Sequence, residues 1–186
     1  MFKQLTTKEL VFISLMAASI FVINVLTGAG VVAATGIPLS SAFVTAITMG
    51  IWALLLFKIV PKPGTFTLFL LIYSILELPT FLGGAPGFWP KIPINVISGL
   101  LADVFLYSAR YRTWSVYVAF YVIATANLLA FIFFLWLLGI PGVEKTIAIA
   151  HIIIIAYSVL GTIGILIGTA IYRRIKDKRI VMQIRQ

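Results

Sequence analysis

The sequence predicts an all-α membrane protein: a compact bundle of six transmembrane helices, with the N and C termini on the cytoplasmic side. Three observations lead there. Six apolar runs are each long enough to cross a bilayer, the basic residues fall on alternate loops, and the 186-residue chain is 62% hydrophobic and 10% charged, with a mean hydropathy of +1.15. An ordinary soluble domain is about 45 to 50% apolar, so a water-soluble fold is excluded.

A membrane helix needs about 20 mainly apolar residues, because each residue rises about 1.5 Å through a hydrocarbon core about 30 Å thick. The runs are Leu10 to Gly28, Ser40 to Phe57, Thr65 to Leu82, Ile92 to Ser108, Thr113 to Leu138 and Thr146 to Tyr172. The first follows Lys3 and Lys8, as the core of a signal peptide would. It is expected to be a retained helix, since its loss would disturb the charge alternation. The third and fourth runs each contain one carboxylate, Glu77 or Asp103. The loop between them, GGAPGFWPK, is rich enough in glycine and proline to form an extracellular cap or a re-entrant segment.

Orientation follows from the excess of Lys and Arg on cytoplasmic loops. With the N terminus inside, twelve of the fourteen basic residues are cytoplasmic: Lys3, Lys8, Lys58, Lys62, Arg110, Arg112 and six in the tail from Arg173 to Arg185. Lys91 and Lys145 remain outside. The net charge of +9 therefore reports topology and not a nucleic-acid surface, which would need a basic stripe with interleaved aromatics. No linker or repeat divides the chain, so residues 1–186 read as a single domain.

Ionisable groups inside a bilayer cost at least about 2.5 to 3.5 kcal/mol and are functional candidates. Glu77, near the outer end of the third helix, and His151, near the outer start of the sixth, share a level. Asn24, Trp89, Lys91, Asn95 and Trp136 fall at the same level. Together they suggest an outward-opening pocket for a small polar heterocycle, whose ring would stack on Trp89 while Glu77, Lys91, Asn95 and His151 supply polar contacts. Each also has an ordinary reading: Trp89 and Trp136 as interfacial anchors, Lys91 as a snorkelling loop residue, His151 as a helix-end polar group. Asn127, in the middle of the fifth helix, either floors the pocket or bonds between helices. Asp103 lies nearer the cytoplasm and reads as structural, with a partner on another helix.

Small residues mark close helix approach in membranes. Gly161, Gly164 and Gly168 form such a seam on the sixth helix. Ser14, Ala17 and Ala18 form a patch on the first, suited either to internal packing or to docking another membrane subunit. The sequence has no GxxxxGK[ST] loop for nucleotide phosphates and no HExxH or GxSxG motif. With one His and no Cys, no catalytic metal site or other cofactor is expected. The chain is not expected to be an enzyme.

Several segments resemble the substrate-binding S-components of energy-coupling factor (ECF) vitamin transporters, particularly the MptD-like and thiamine-precursor branches. They are LTTKEL before helix one, the glycine-rich GAGVVAATGIP, the KPG turn before helix three, ILELPTFLGG, and GLLADVFL before a basic turn. The resemblance covers nearly the whole chain. It implies a multi-pass protein of a prokaryotic cell membrane that captures a small water-soluble vitamin or precursor, thiamine or hydroxymethylpyrimidine being the first candidates. It also implies partners: a transmembrane coupling protein, docked on an AxxxA pattern of helix one, and two ATPase subunits. Here that pattern is Ser14-Leu-Met-Ala-Ala18, with serine in place of the first alanine. The segment from Gly28 to Pro38 would serve as a lid. Besides these partners the chain meets the lipid bilayer, and no nucleic acid.

Overall fold

The computed structural model describes residues 4–35, 40–82, 86–139 and 143–185. Among them are seven helices and no strand: α1 (Thr7–Thr35), α2 (Ser40–Ile59), α3 (Thr65–Glu77), α4 (Lys91–Ser108), α5 (Ser115–Leu137), α6 (Val143–Ile175) and α7 (Arg179–Arg185). The first six correspond to the six expected spans. Thr7–Gly28, Lys91–Ser108, Ser115–Leu137 and Ile147–Ile175 are long and apolar enough to cross a membrane; Val44–Ile59 and Thr65–Glu77 are shorter apolar helices.

Two boundaries and one additional helix differ most from the sequence reading. The α1 helix continues to Thr35, so much of the glycine-rich segment expected as a lid is helical, and residues 36–39 lie outside the described ones. The α3 helix stops at Glu77, not Leu82. Pro79 explains this: it has no N–H to donate to the Ile75 carbonyl, so the ladder ends on the Leu78 N–H bonded to Ile75 at 3.3 Å, with Leu78 itself still in the helical region at φ −50°. The short α7 was not expected. Its Val181 is buried in the core, and the helix packs against α1 and α2.

The ends of the bundle are tied by polar contacts that the sequence makes local. Thr6 and Glu9 form a capping box on α1: the Thr6 N–H donates to Glu9 Oε2 at 2.7 Å, and the Glu9 N–H to Thr6 Oγ1 at 3.4 Å. Lys62, in the turn after α2, pairs with the same Glu9 oxygen at 2.7 Å and donates to the Gln4 carbonyl at 3.0 Å. In that turn Gly64 has φ of 87°, a left-handed conformation that glycine adopts without steric cost. Lys58 reaches Thr113 Oγ1 at 3.2 Å, which brings the α4–α5 turn to the same end. The N terminus, both turns and α7 therefore share one face of the bundle, the face that the charge distribution assigns to the cytoplasm.

Asp103 has the structural role its sequence position suggested. From α4 it caps the start of α3, accepting the Phe66 N–H at 3.2 Å and the Thr67 N–H and hydroxyl at 2.8 and 2.7 Å. Helix starts carry unsatisfied N–H groups and partial positive charge, and α3 has no side-chain cap of its own. Close approach at Gly99 makes the arrangement possible, since a Cβ there would lie 2.7 Å from Thr67 Cα. The glycine seam of α6 packs on α2: a Cβ at Gly164 would meet Gly50 Cα at 3.1 Å, and one at Gly168 would meet the Ile51 carbonyl oxygen at 2.9 Å.

Candidate functional site

A cavity of about 460 Å³ lies between α2, α3, α4, α5 and α6, within the usual range for small-ligand sites. Four residues singled out from the sequence, Glu77, Lys91, Asn95 and Asn127, line it. They converge because α3 ends and α4 begins at the same level, which puts Glu77 on the last turn of one helix and Lys91 on the first turn of the next.

Lys91 is 2% exposed. Its ammonium donates to the Glu77 carbonyl at 3.1 Å and the Thr80 carbonyl at 2.7 Å; the Glu77 carbonyl also accepts the Thr80 N–H and hydroxyl at 2.9 Å each, so the lysine joins the last turn of α3 to the turn that follows it. The cation also complements the negative end of the helix dipole, and its charge acts on the Glu77 carboxylate. It is thus neither a snorkelling loop residue nor freely available to a ligand.

Glu77 is 6% exposed. Its carboxylate interacts with the Tyr73 hydroxyl one turn earlier and with the Asn95 side chain across the α3–α4 interface. Asn95 also donates to the Lys91 carbonyl at 3.0 Å. Behind Tyr73, Asn24 of α1 is 1% exposed. Its amide donates to the Tyr73 oxygen at 2.9 Å, and its carbonyl oxygen accepts from Thr48 Oγ1 at 2.6 Å. With its lone pair engaged by Asn24, the phenol directs its proton toward Glu77. So α1 contributes no lining residue among the described ones but orients one that does line the cavity.

The other expected site residues are placed elsewhere. Trp89 is 55% exposed and packs edge-on against Phe134, ring centroids 5.6 Å apart. Neither it nor His151, which is exposed, lines the cavity. Trp136 is exposed on the outer surface. Among the aromatic walls are instead Tyr73, Phe81, Phe120, Phe131 and Tyr157, with Phe120 and Tyr157 stacked at 5.7 Å. Sequence reasoning missed these. Only Tyr73 carried a usable signal, because it precedes Glu77 by four residues and so shares its helix face.

The proposed docking patch divides. Ala17 is fully buried in the core, whereas Ser14 is exposed and Ala18 half-buried. Ser14 and Ala18 share the outward stripe of α1 with Val11, Leu15, Val22 and Leu26.

The fold and the site define an α-helical integral membrane protein with a ligand-sized cavity inside its bundle. Residues 7–140 match the family model Trep_Strep, described as a hypothetical bacterial integral membrane protein. The chain belongs to that family and is a multi-pass bacterial membrane protein. No curated protein and no solved structure matches it.

Proposed function

We propose that this protein is the substrate-capture subunit of an ECF-type transporter, binding a small vitamin or vitamin precursor from outside for uptake driven by partner subunits. The observation that carries the reading is the cavity, lined by the buried Glu77 and the half-buried Asn95 and Asn127. The segment resemblance along the chain supports the transporter class, and the missing phosphate-binding loop fits a subunit that leaves ATP hydrolysis to others. Thiamine and hydroxymethylpyrimidine are the first ligands to test. A stand-alone carrier or channel is the competing class. It would require polar groups through the bundle, and the inner cavity wall formed by Ala53, Phe66, Phe69 and Phe120 is apolar. A membrane enzyme would require a reactive constellation at the cavity; the polar groups there read as binding groups.

The outward stripe of α1 at Ser14 and Ala18 is the proposed contact for a transmembrane coupling protein, with two ATPase subunits behind it. The test reads binding and uptake from one variant. Ala18→Trp should leave ligand affinity of the isolated protein within about twofold, well under the tenfold that corresponds to about 1.4 kcal/mol. Uptake into cells that carry the coupling module should collapse. Concentrative uptake by the wild-type chain alone in vesicles, or full uptake by Ala18→Trp, would overturn the proposal.

A further inference from the structure

Apart from the phenol of Tyr157, whose ring stacks on Phe120, the polar groups of the cavity are gathered toward one end. On α3 its wall runs from Phe66 to Glu77, a length of about 16 Å at 1.5 Å per residue. Glu77, Lys91 and Asn95 occupy the outer end of this wall, with Asn127 on the facing helix. Toward the cytoplasmic end, Ala53, Phe66, Phe69, Leu70, Phe120 and Ala124 present only hydrocarbon. A solute polar on all sides would bury part of itself against these rings without partners, which costs free energy. An apolar group there gains the hydrophobic effect instead.

The outer end also constrains what it binds. The Glu77 carboxyl has acceptor lone pairs beyond those engaged by Tyr73 and Asn95, so it suits a donor on the ligand. Lys91, the one cation lining the cavity among the described residues, spends its ammonium on the Glu77 and Thr80 carbonyls, and an anionic head finds no free cation. The Asn127 amide lines the cavity without a hydrogen-bond partner among the described residues and can take a second polar atom of the same head.

We infer that the ligand is an amphiphile: a hydrogen-bond-donating, non-anionic head held by Glu77, Asn95 and Asn127, joined to an apolar body that extends along α3 toward Phe66. The inference rests on reading the cavity as the capture site. A heterocycle the size of hydroxymethylpyrimidine accounts for the outer end alone. The apolar half specifies what is attached to such a head.

The test uses the full chain in lipid nanodiscs, with empty nanodiscs subtracting bilayer partition. The probes are benzylamine, 4-phenylbutylamine and 6-phenylhexylamine, with 4-phenylbutyric acid and hydroxymethylpyrimidine for comparison. Affinity should rise about fourfold per methylene from benzylamine to 4-phenylbutylamine, the fold-change equivalent to about 0.8 kcal/mol per buried methylene. The acid should bind at least tenfold more weakly than the amine of equal length. Ala53→Phe and Ala124→Phe, which fill the inner half, should weaken 4-phenylbutylamine tenfold or more, and should flatten the rise in affinity with chain length. If either variant fails to fold, the wild-type length series decides alone. A series that stays flat with chain length, or tighter binding of the acid than the amine, overturns the amphiphile. Tighter binding of hydroxymethylpyrimidine than of every amine overturns it too. None of these outcomes touches the capture reading, which fails separately on the uptake experiment above.

Discussion

Replacing Lys91 with methionine isolates what holds the outer end of the site together. Methionine keeps most of the buried stem and removes the ammonium, so the two bonds to the Glu77 and Thr80 carbonyls, at 3.1 and 2.7 Å, disappear. Hydrogen bonds to charged groups contribute about 1.5 to 3 kcal/mol each. The Thr80 carbonyl then loses its charged donor, the Glu77 carbonyl keeps the Thr80 N–H and hydroxyl at 2.9 Å each, and the buried Glu77 carboxylate loses its nearby cation. With the Glu77 carbonyl still satisfied, the loss of the Thr80 bond sets the expected destabilisation at about 1.5 to 3 kcal/mol. Removing the other charge as well, in Lys91→Met with Glu77→Gln, should restore at least about 1 kcal/mol relative to the sum of the single effects. Thermal unfolding of the four proteins in one detergent, followed by circular dichroism, measures the cycle. A loss below about 1 kcal/mol in Lys91→Met, together with additive behaviour in the double variant, would refute the idea that this lysine ties α3 to α4.

Asp103→Ala should destabilise by about 2 to 4 kcal/mol, since it uncaps α3 and strands the Phe66 and Thr67 N–H groups; a shift in unfolding temperature too small to resolve would contradict the cap. Tyr111→Phe should be neutral or stabilising by up to about 1 kcal/mol, because the Tyr111 hydroxyl is buried without a hydrogen-bond partner among the described residues, and clear destabilisation would reveal a partner. Gly164→Leu should prevent close packing of α6 on α2, where a Cβ already meets Gly50 at 3.1 Å, and retention of the wild-type unfolding temperature would dismiss the seam. Cysteines placed at Ser108 and Pro86, with none in the native chain, should react with an impermeant thiol reagent only from the cytoplasm and only from outside, respectively. The reverse pattern would invert the topology.

The six apolar helices, though not the short α7, and the grouping of their ends were legible in the sequence because both depend on quantities read along the chain. Hydropathy over about 20 residues locates a span. The clustering of Lys58, Lys62, Arg110, Arg112 and the basic tail predicts a shared end, which the Lys62–Glu9 and Lys58–Thr113 contacts show. Glu77, Lys91, Asn95 and Asn127 were also legible as candidates, since polar groups in or beside a span are costly enough to stand out. Their common level followed from helix direction and rise.

What the sequence alone could not decide was which way each side chain faces. Trp89, His151 and Glu77 share a depth, yet only Glu77 lines the cavity; depth comes from counting residues, whereas facing depends on how helices rotate and pack against one another. For the same reason Ala17 turned inward while Ser14 and Ala18 turned outward. The cavity walls were hidden most completely. Phe66, Phe120 and Phe131 are aromatic residues in apolar helices, where a side chain facing lipid, a neighbouring helix or an internal cavity looks alike along the chain. The tertiary structure separates them because five helices enclose the cavity, and their relative rotations are set by contacts such as Gly164 on Gly50 and Asp103 on α3.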